Sequence, residues 1–159
     1  MKILSACCGQ RSYWFNKQQK DTTFIDIRPE VKPDVVMDCT KTVFEDKTFD
    51  LIEFDPPHES HTKAAKGVFV EKYGAFTAAE IRNLVAAAFK EFHRILKDEG
   101  FVIFKWNTHC QQLKTILPLI DGFEFLFGQK TAFRTKHASS TYWFCLKKGV
   151  KFEKSLRTF

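Results

Sequence analysis

Thr77-Ala78-Ala79-Glu80 is a capping box, and behind it Ile81, Leu84, Val85, Ala88, Phe89, Phe92 and Leu96 recur at helical spacing. The cap and the period together predict a helix that ends at Lys97-Asp98-Glu99-Gly100. Phe101-Val102-Ile103-Phe104-Lys105-Trp106 follows at once, an apolar run of the kind buried on both faces in a parallel sheet. Parallel strands need such crossovers, so this helix-to-strand junction is the strongest constraint on the fold.

The remaining elements alternate in the same way. Ile3-Leu4-Ser5-Ala6 reads as a strand, Cys7-Cys8-Gly9-Gln10-Arg11-Ser12 as a small-residue turn, and Tyr13-Trp14-Phe15 as a short helix. Thr23-Phe24-Ile25-Asp26-Ile27 is a second strand, stopped by Arg28-Pro29; Asp34-Val35-Val36-Met37-Asp38 is a third, and Phe49-Asp50-Leu51-Ile52-Glu53-Phe54 a fourth. A helix from about 109 to 117, ended by Pro118, precedes Phe123 to Phe127 and Thr141 to Leu146, which suit an antiparallel pair at one edge. The whole predicts a three-layer α/β domain spanning 1–159.

Asp55-Pro56-Pro57-His58 puts a carboxylate and two rigid prolines at the tip of the fourth strand, where open α/β sheets place their ligands. Each proline fixes its own φ and biases its predecessor toward extended backbone, so Asp55 and the neighbouring carbonyls form a pre-shaped set of acceptors. A planar amine offers two hydrogens that a carboxylate and a carbonyl can accept together. The same tetrapeptide is also the mark of a plain strand-ending turn.

Composition narrows the function classes. The chain has 159 residues, 44% of them hydrophobic, including 18 Phe, which makes the expected core unusually aromatic. Without an apolar stretch of membrane-spanning length or a secretory leader, it is expected to be cytoplasmic, with no membrane partner. Five cysteines, Cys7, Cys8, Cys39, Cys110 and Cys145, lack Cys-x-x-Cys spacing and are read as reduced thiols with no metal site. Net charge is +6, and after residue 128 Lys130, Arg134, Lys136, Lys147, Lys148, Lys151, Lys154 and Arg157 face only Glu153. A basic end of this kind favours nucleic acid as partner, although it is also compatible with a solvated face and a loose tail.

The order of groups along the strand tips suits a nucleoside. A small-residue turn lets a ligand approach closely, and Asp26 can hold both hydroxyls of a ribose. Asp38 can accept from an adenine amino group, which leaves Asp55-Pro56-Pro57-His58 facing the reacting end.

At these positions the chain resembles the class I S-adenosylmethionine-dependent methyltransferases. Ala6-Cys7-Cys8-Gly9 is similar to their first motif and Asp55-Pro56-Pro57-His58 to their amino-methylating motif. The turn followed by Trp14-Phe15, Asp26-Ile27-Arg28, Lys72-Tyr73-Gly74 and Phe104-Lys105-Trp106-Asn107 resemble a compact, phage-associated branch. The resemblance implies a Rossmann-like, mostly parallel seven-strand sheet with an antiparallel C-terminal hairpin. It also implies S-adenosylmethionine as cofactor, held by Ala6, Cys7, Cys8, Gly9, Asp26, Ile27, Asp38, Cys39 and Asp55, and methyl transfer to nitrogen in DNA or RNA. Two departures stand out. The first turn has a single glycine, and His58 replaces the aromatic residue on which a base usually stacks.

Under this reading Asp55 and the Pro56 carbonyl accept hydrogen bonds from an exocyclic amine and favour its nucleophilic form, while His58 either stacks or passes on the released proton. Pro57, Tyr73 and Trp106 are candidate walls for a flipped base, with a core role as the alternative for Trp106. Lys63, Lys66, Lys72, Lys130, Arg134 and Lys136 are candidate phosphate contacts. Two alternatives stay open: methylation of a small molecule or protein side chain, and a nucleic-acid-binding module with no catalytic function.

Overall fold

The computed structural model describes residues 1–60, 76–131 and 139–149. Seven strands form one sheet: β1 (Ile3–Ala6), β2 (Thr22–Asp26), β3 (Val35–Val36), β4 (Phe49–Phe54), β5 (Leu96–Asn107), β6 (Phe123–Thr131) and β7 (Thr141–Lys148). Their order is β3-β2-β1-β4-β5-β7-β6, with β1 through β5 pairing in parallel and β7 antiparallel to both β5 and β6. This is the mostly parallel Rossmann-like arrangement with a reversed C-terminal pair that the family resemblance implies. Because β6 runs parallel to β5, the C-terminal tips of β1, β2, β4, β5 and β6 share one edge of the sheet.

Helix α1 (Ala78–Ile95) starts where the capping box places it: Thr77 Oγ1 accepts from the Glu80 amide, and the Glu80 carboxylate accepts from the Thr77 amide. Its buried residues Ile81, Val85, Ala88, Phe89, Phe92 and Ile95 form one core with Leu4, Ala6, Ile25, Ile52, Phe54, Val102, Phe104 and Trp106. All eight of these strand residues share one sheet face, as the two-residue period of a strand requires. Phe54 meets Phe89, Phe92 and Phe104 with ring centroids 4.9 to 5.9 Å apart, so the phenylalanine-rich composition becomes a network of edge-on and stacked rings.

Several expected boundaries differ. Helix α1 ends at Ile95, and Leu96, expected as its last apolar position, pairs at once with Phe49. Lys97 to Gly100 instead form an excursion within β5: six residues of β5, from Leu96 to Phe101, lie against Phe49 to Leu51. Tyr13-Trp14-Phe15 is not helical; residues 7–21 are turns and bends, with the Phe15 side chain in solvent. That segment lacks a repeating apolar stripe, and its two inward-facing rings pack on residues outside it, Tyr13 against Trp143 and Trp14 against Phe24. β3 is two exposed residues. The helix expected at 109–117 contracts to α2 (Leu113–Ile116), followed by a 3-10 turn, Leu117–Leu119, that contains Pro118.

Residues 7–21 are what covers the second sheet face among the described residues. Phe101, Ile103, Lys105 and Trp143 on that face therefore remain part-exposed, and β5 is fully buried on one side only. No helix among the described residues is long and apolar enough to cross a membrane.

A candidate active site at the strand tips

The turn after β1 is sewn onto β2. The Cys8 amide donates to the Ile25 carbonyl at 3.0 Å, and the Gly9 amide donates to Asp26 Oδ2 at 3.0 Å. Cys7 (φ 60°) and Gly9 (φ 49°) both adopt left-handed backbone, an unusual conformation for the cysteine that the two anchors hold in place. Beneath the turn, Cys7 Sγ lies 3.7 Å from Cys39 Sγ, which joins two of the expected cofactor residues. That contact, reinforced by burial, pushes the Cys7 thiol well up, and burial pushes Cys8 up to about 11. Both are therefore neutral packing thiols, and all five cysteines are free.

Asp26 is at the end of β2, as expected, and its carboxylate is fully engaged. Oδ1 accepts from the Arg28 amide and Nε, both at 3.0 Å, while Oδ2 accepts from the Gly9 amide and from Arg28 Nη2 at 3.1 Å. A ribose can reach Asp26 only by displacing the Arg28 side chain, which is the partly exposed member of the pair. Asp38 is exposed and accepts from the amide and hydroxyl of Thr40, both at 2.8 Å, so it caps its own turn. Ile27 is exposed beside Asp26. A small-residue turn and an acid thus occupy neighbouring tips of β1 and β2, with their donors and acceptors paired to one another and to Arg28.

Asp55 follows β4 directly, with Pro56 buried and Pro57 and His58 part-exposed. Its Oδ2 accepts from Lys105 Nζ at 2.7 Å, while Oδ1 is buried without a hydrogen-bond partner. An unpaired buried carboxylate oxygen is an expensive feature and a place for a donor to arrive. Lys105 is one position beyond the registered pair Phe54 and Phe104, and Trp143 pairs with Lys105 across β5 and β7. Asp55, Lys105 and Trp143 therefore stand side by side on three adjacent strands.

Tyr13 closes over this row. Its ring centroid is 5.5 Å from that of Trp143, and Lys105 Nζ lies 5.2 Å from the Tyr13 ring and 5.6 Å from Trp143. The Tyr13 hydroxyl donates to Glu53 Oε1, and Ser5 Oγ donates to Oε2 at 2.6 Å. Burial pushes Glu53 up to about 7, against the lowering effect of these two donors, with Asp55 raising it further. The Tyr13 hydroxyl is held far above its ordinary value, first by burial and then by the charges of Glu53 and Asp55.

Trp106 corrects one expectation. It is fully buried on the α1 face, with Nε1 donating to the Gln111 carbonyl at 3.0 Å, so it is a core ring and cannot be a wall for a base. His58 packs edge-on to it with centroids 6.5 Å apart. Lys130 is exposed at the same sheet edge, its Nζ 5.8 Å from the Tyr142 ring. Lys63, Lys66, Lys72, Tyr73, Arg134 and Lys136 lie outside the described residues.

Ser5, Tyr13, Glu53, Lys105 and Trp143 were not singled out by sequence for this site. The signal was present for two of them, because Glu53 and Lys105 interrupt apolar runs at positions that the two-residue period turns toward one sheet face.

No family model matches the chain, and no curated protein does either. Solved structures do. The PH0226 protein of Pyrococcus horikoshii superposes with a TM-score of 0.64 at 15% identity, over 92% of this chain and 81% of that one. A SAM-dependent methyltransferase of Methanosarcina mazei gives 0.59 at 13% identity, over 94% and 92%. The cyclase SpnF gives 0.61 at 13% identity, over 94% and 74%. The chain thus has the Rossmann-like fold of the class I SAM-dependent methyltransferases, and the cyclase shows that this fold also carries other chemistry.

Proposed function

We propose that the protein is an S-adenosylmethionine-dependent methyltransferase acting on an exocyclic amino nitrogen of a nucleic-acid base. The observation that carries this reading is Asp55, whose unpartnered Oδ1 sits at the tip of β4 beside the β1 turn and in front of two prolines. The turn residues Ala6 to Gly9 and Asp26 would hold the cofactor, which when bound supplies a methyl group already activated by a sulfonium.

What remains for the chain is alignment. Asp55 accepts one amine hydrogen and draws the nitrogen toward a pyramidal geometry with its lone pair exposed, and the rigid Pro56-Pro57 segment fixes the distance. Tyr13 and Trp143 supply the aromatic surface that His58 does not, since every base offers a π-face. His58, at the part-exposed end of the motif, would pass the released proton to water. Lys130, exposed at the C-terminal end of β6, would meet a phosphate of a nucleic-acid substrate.

A second reading, a nucleic-acid-binding module with no cofactor, draws on the complete engagement of Asp26 by Arg28 and Gly9. Calorimetric titration with S-adenosylmethionine separates the two. Binding heat and a raised melting temperature are expected, and the absence of both at millimolar cofactor leaves only the binding module. Incubation with labelled cofactor and separate pools of DNA, RNA, protein and metabolites then tests the substrate: label in protein or metabolites alone contradicts the base reading.

A further inference from the structure

Lys105 stands against Asp55, and the amine-methylation reading gives it no task. We infer that it is a positioning residue, tying down Oδ2 of Asp55 so that Oδ1 alone faces the substrate nitrogen. The inference rests on the proposed reading and deepens it.

Three features separate this contact from an ordinary surface ion pair, which contributes little and wanders. Both side chains are largely buried, at 22% and 18% exposed. The ammonium is also flanked by two rings, Tyr13 at 5.2 Å and Trp143 at 5.6 Å, so it is held on several sides. Finally, the backbone sets the pairing, because Asp55 and Lys105 each follow directly on the registered pair Phe54 and Phe104 of β4 and β5.

A carboxylate turns about its last bond through a broad, roughly two-fold torsion, so an untethered aspartate has no single acceptor direction. With Oδ2 engaged at 2.7 Å, the direction of Oδ1 is defined. In-line methyl transfer depends steeply on that direction, because the nitrogen must lie on the far side of the carbon–sulfur bond. Lys105 touches neither the methyl nor the amine in this account; it acts through Asp55.

The test compares Lys105→Met, Lys105→Gln and Lys105→Arg with wild type and Asp55→Ala, using labelled S-adenosylmethionine and whichever of the four pools the wild type labels. Lys105→Met is expected to lower kcat by about 10- to 100-fold, with KM and cofactor affinity changed by less than about threefold. Lys105→Arg, which keeps a charged donor, is expected to recover most of the loss, and Lys105→Gln an intermediate part. If the methionine variant fails to fold, the Gln-to-Arg comparison carries the test. Melting temperatures that stay constant while kcat falls support positioning. Wild-type turnover in Lys105→Gln, or a loss that falls entirely on KM, overturns the inference while leaving the methyltransferase reading intact. No transfer by wild type, or full transfer by Asp55→Ala, removes the reading itself and this inference with it.

Discussion

Glu53 lies opposite Ser5 in the parallel pairing of β1 and β4, and the Ser5 hydroxyl donates to its carboxylate at 2.6 Å. The acid sits two residues before Asp55 on the same face, closed off by Tyr13, and burial dominates its ionisation. Its folded-state value of about 7 stands above the ordinary 4.5. The folded protein therefore binds a proton that the unfolded chain has released. Stability from this group is fully present below about pH 4.5 and is lost as pH rises through about 7, by on the order of 2 to 3 kcal/mol. Urea titrations between pH 4.5 and 8 should show that decline in wild type and a flatter profile in Glu53→Gln. Identical slopes would refute the assignment.

Tyr13→Phe keeps the ring against Trp143 and removes only the hydroxyl that donates to Glu53. The expected loss is about 1 kcal/mol of stability at pH 7, where Glu53 is partly ionised, and it should grow as pH rises and the carboxylate needs the donor more. Chemical denaturation of the two proteins measures it, and a loss of several kcal/mol would mean that Tyr13 does more than hold Glu53.

Phe54→Ala leaves a void between Phe89, Phe92 and Phe104 at the centre of the core, where no side chain can relax into it without leaving its own contacts. Destabilisation of about 3 to 5 kcal/mol is expected. The same substitution at exposed Phe15 should change stability by less than about 0.5 kcal/mol. Equal effects at the two positions would contradict the core described above.

Asp26→Asn keeps the size of the side chain but removes the charge that holds Arg28 and the Gly9 amide. If Asp26 exchanges Arg28 for a ribose, cofactor affinity should fall about tenfold or more, with the melting temperature of the unliganded protein lowered only slightly. Calorimetry checks the first expectation and thermal melting the second.

Much of this was legible from residue order. Helix α1 was marked by its own cap and period, and the strand tips by Asp26 and the Asp55-Pro56-Pro57 stop, because those signals are local. Local chemistry also misled in places. Tyr13-Trp14-Phe15 has no partner within its own segment, so its conformation depends on Phe24 in β2 and on Trp143 near the other end of the chain. The Lys105 ion pair was illegible for the same reason: the residue pairs with Asp55 only once β4 and β5 are in register. Trp106 was open to two readings at the sequence level, and the alternation along β5 sends it into the core while Lys105 faces the site.

The most direct measurement is the initial rate of methyl transfer by Asp55→Asn against wild type, on the labelled pool, with cofactor affinity measured on both. A loss of about 10²-fold or more in kcat is expected with cofactor binding preserved, since the amide keeps the shape of the acid but not its charge. A variant that transfers methyl groups at the wild-type rate would show that the carboxylate behind the two prolines does not handle the nitrogen.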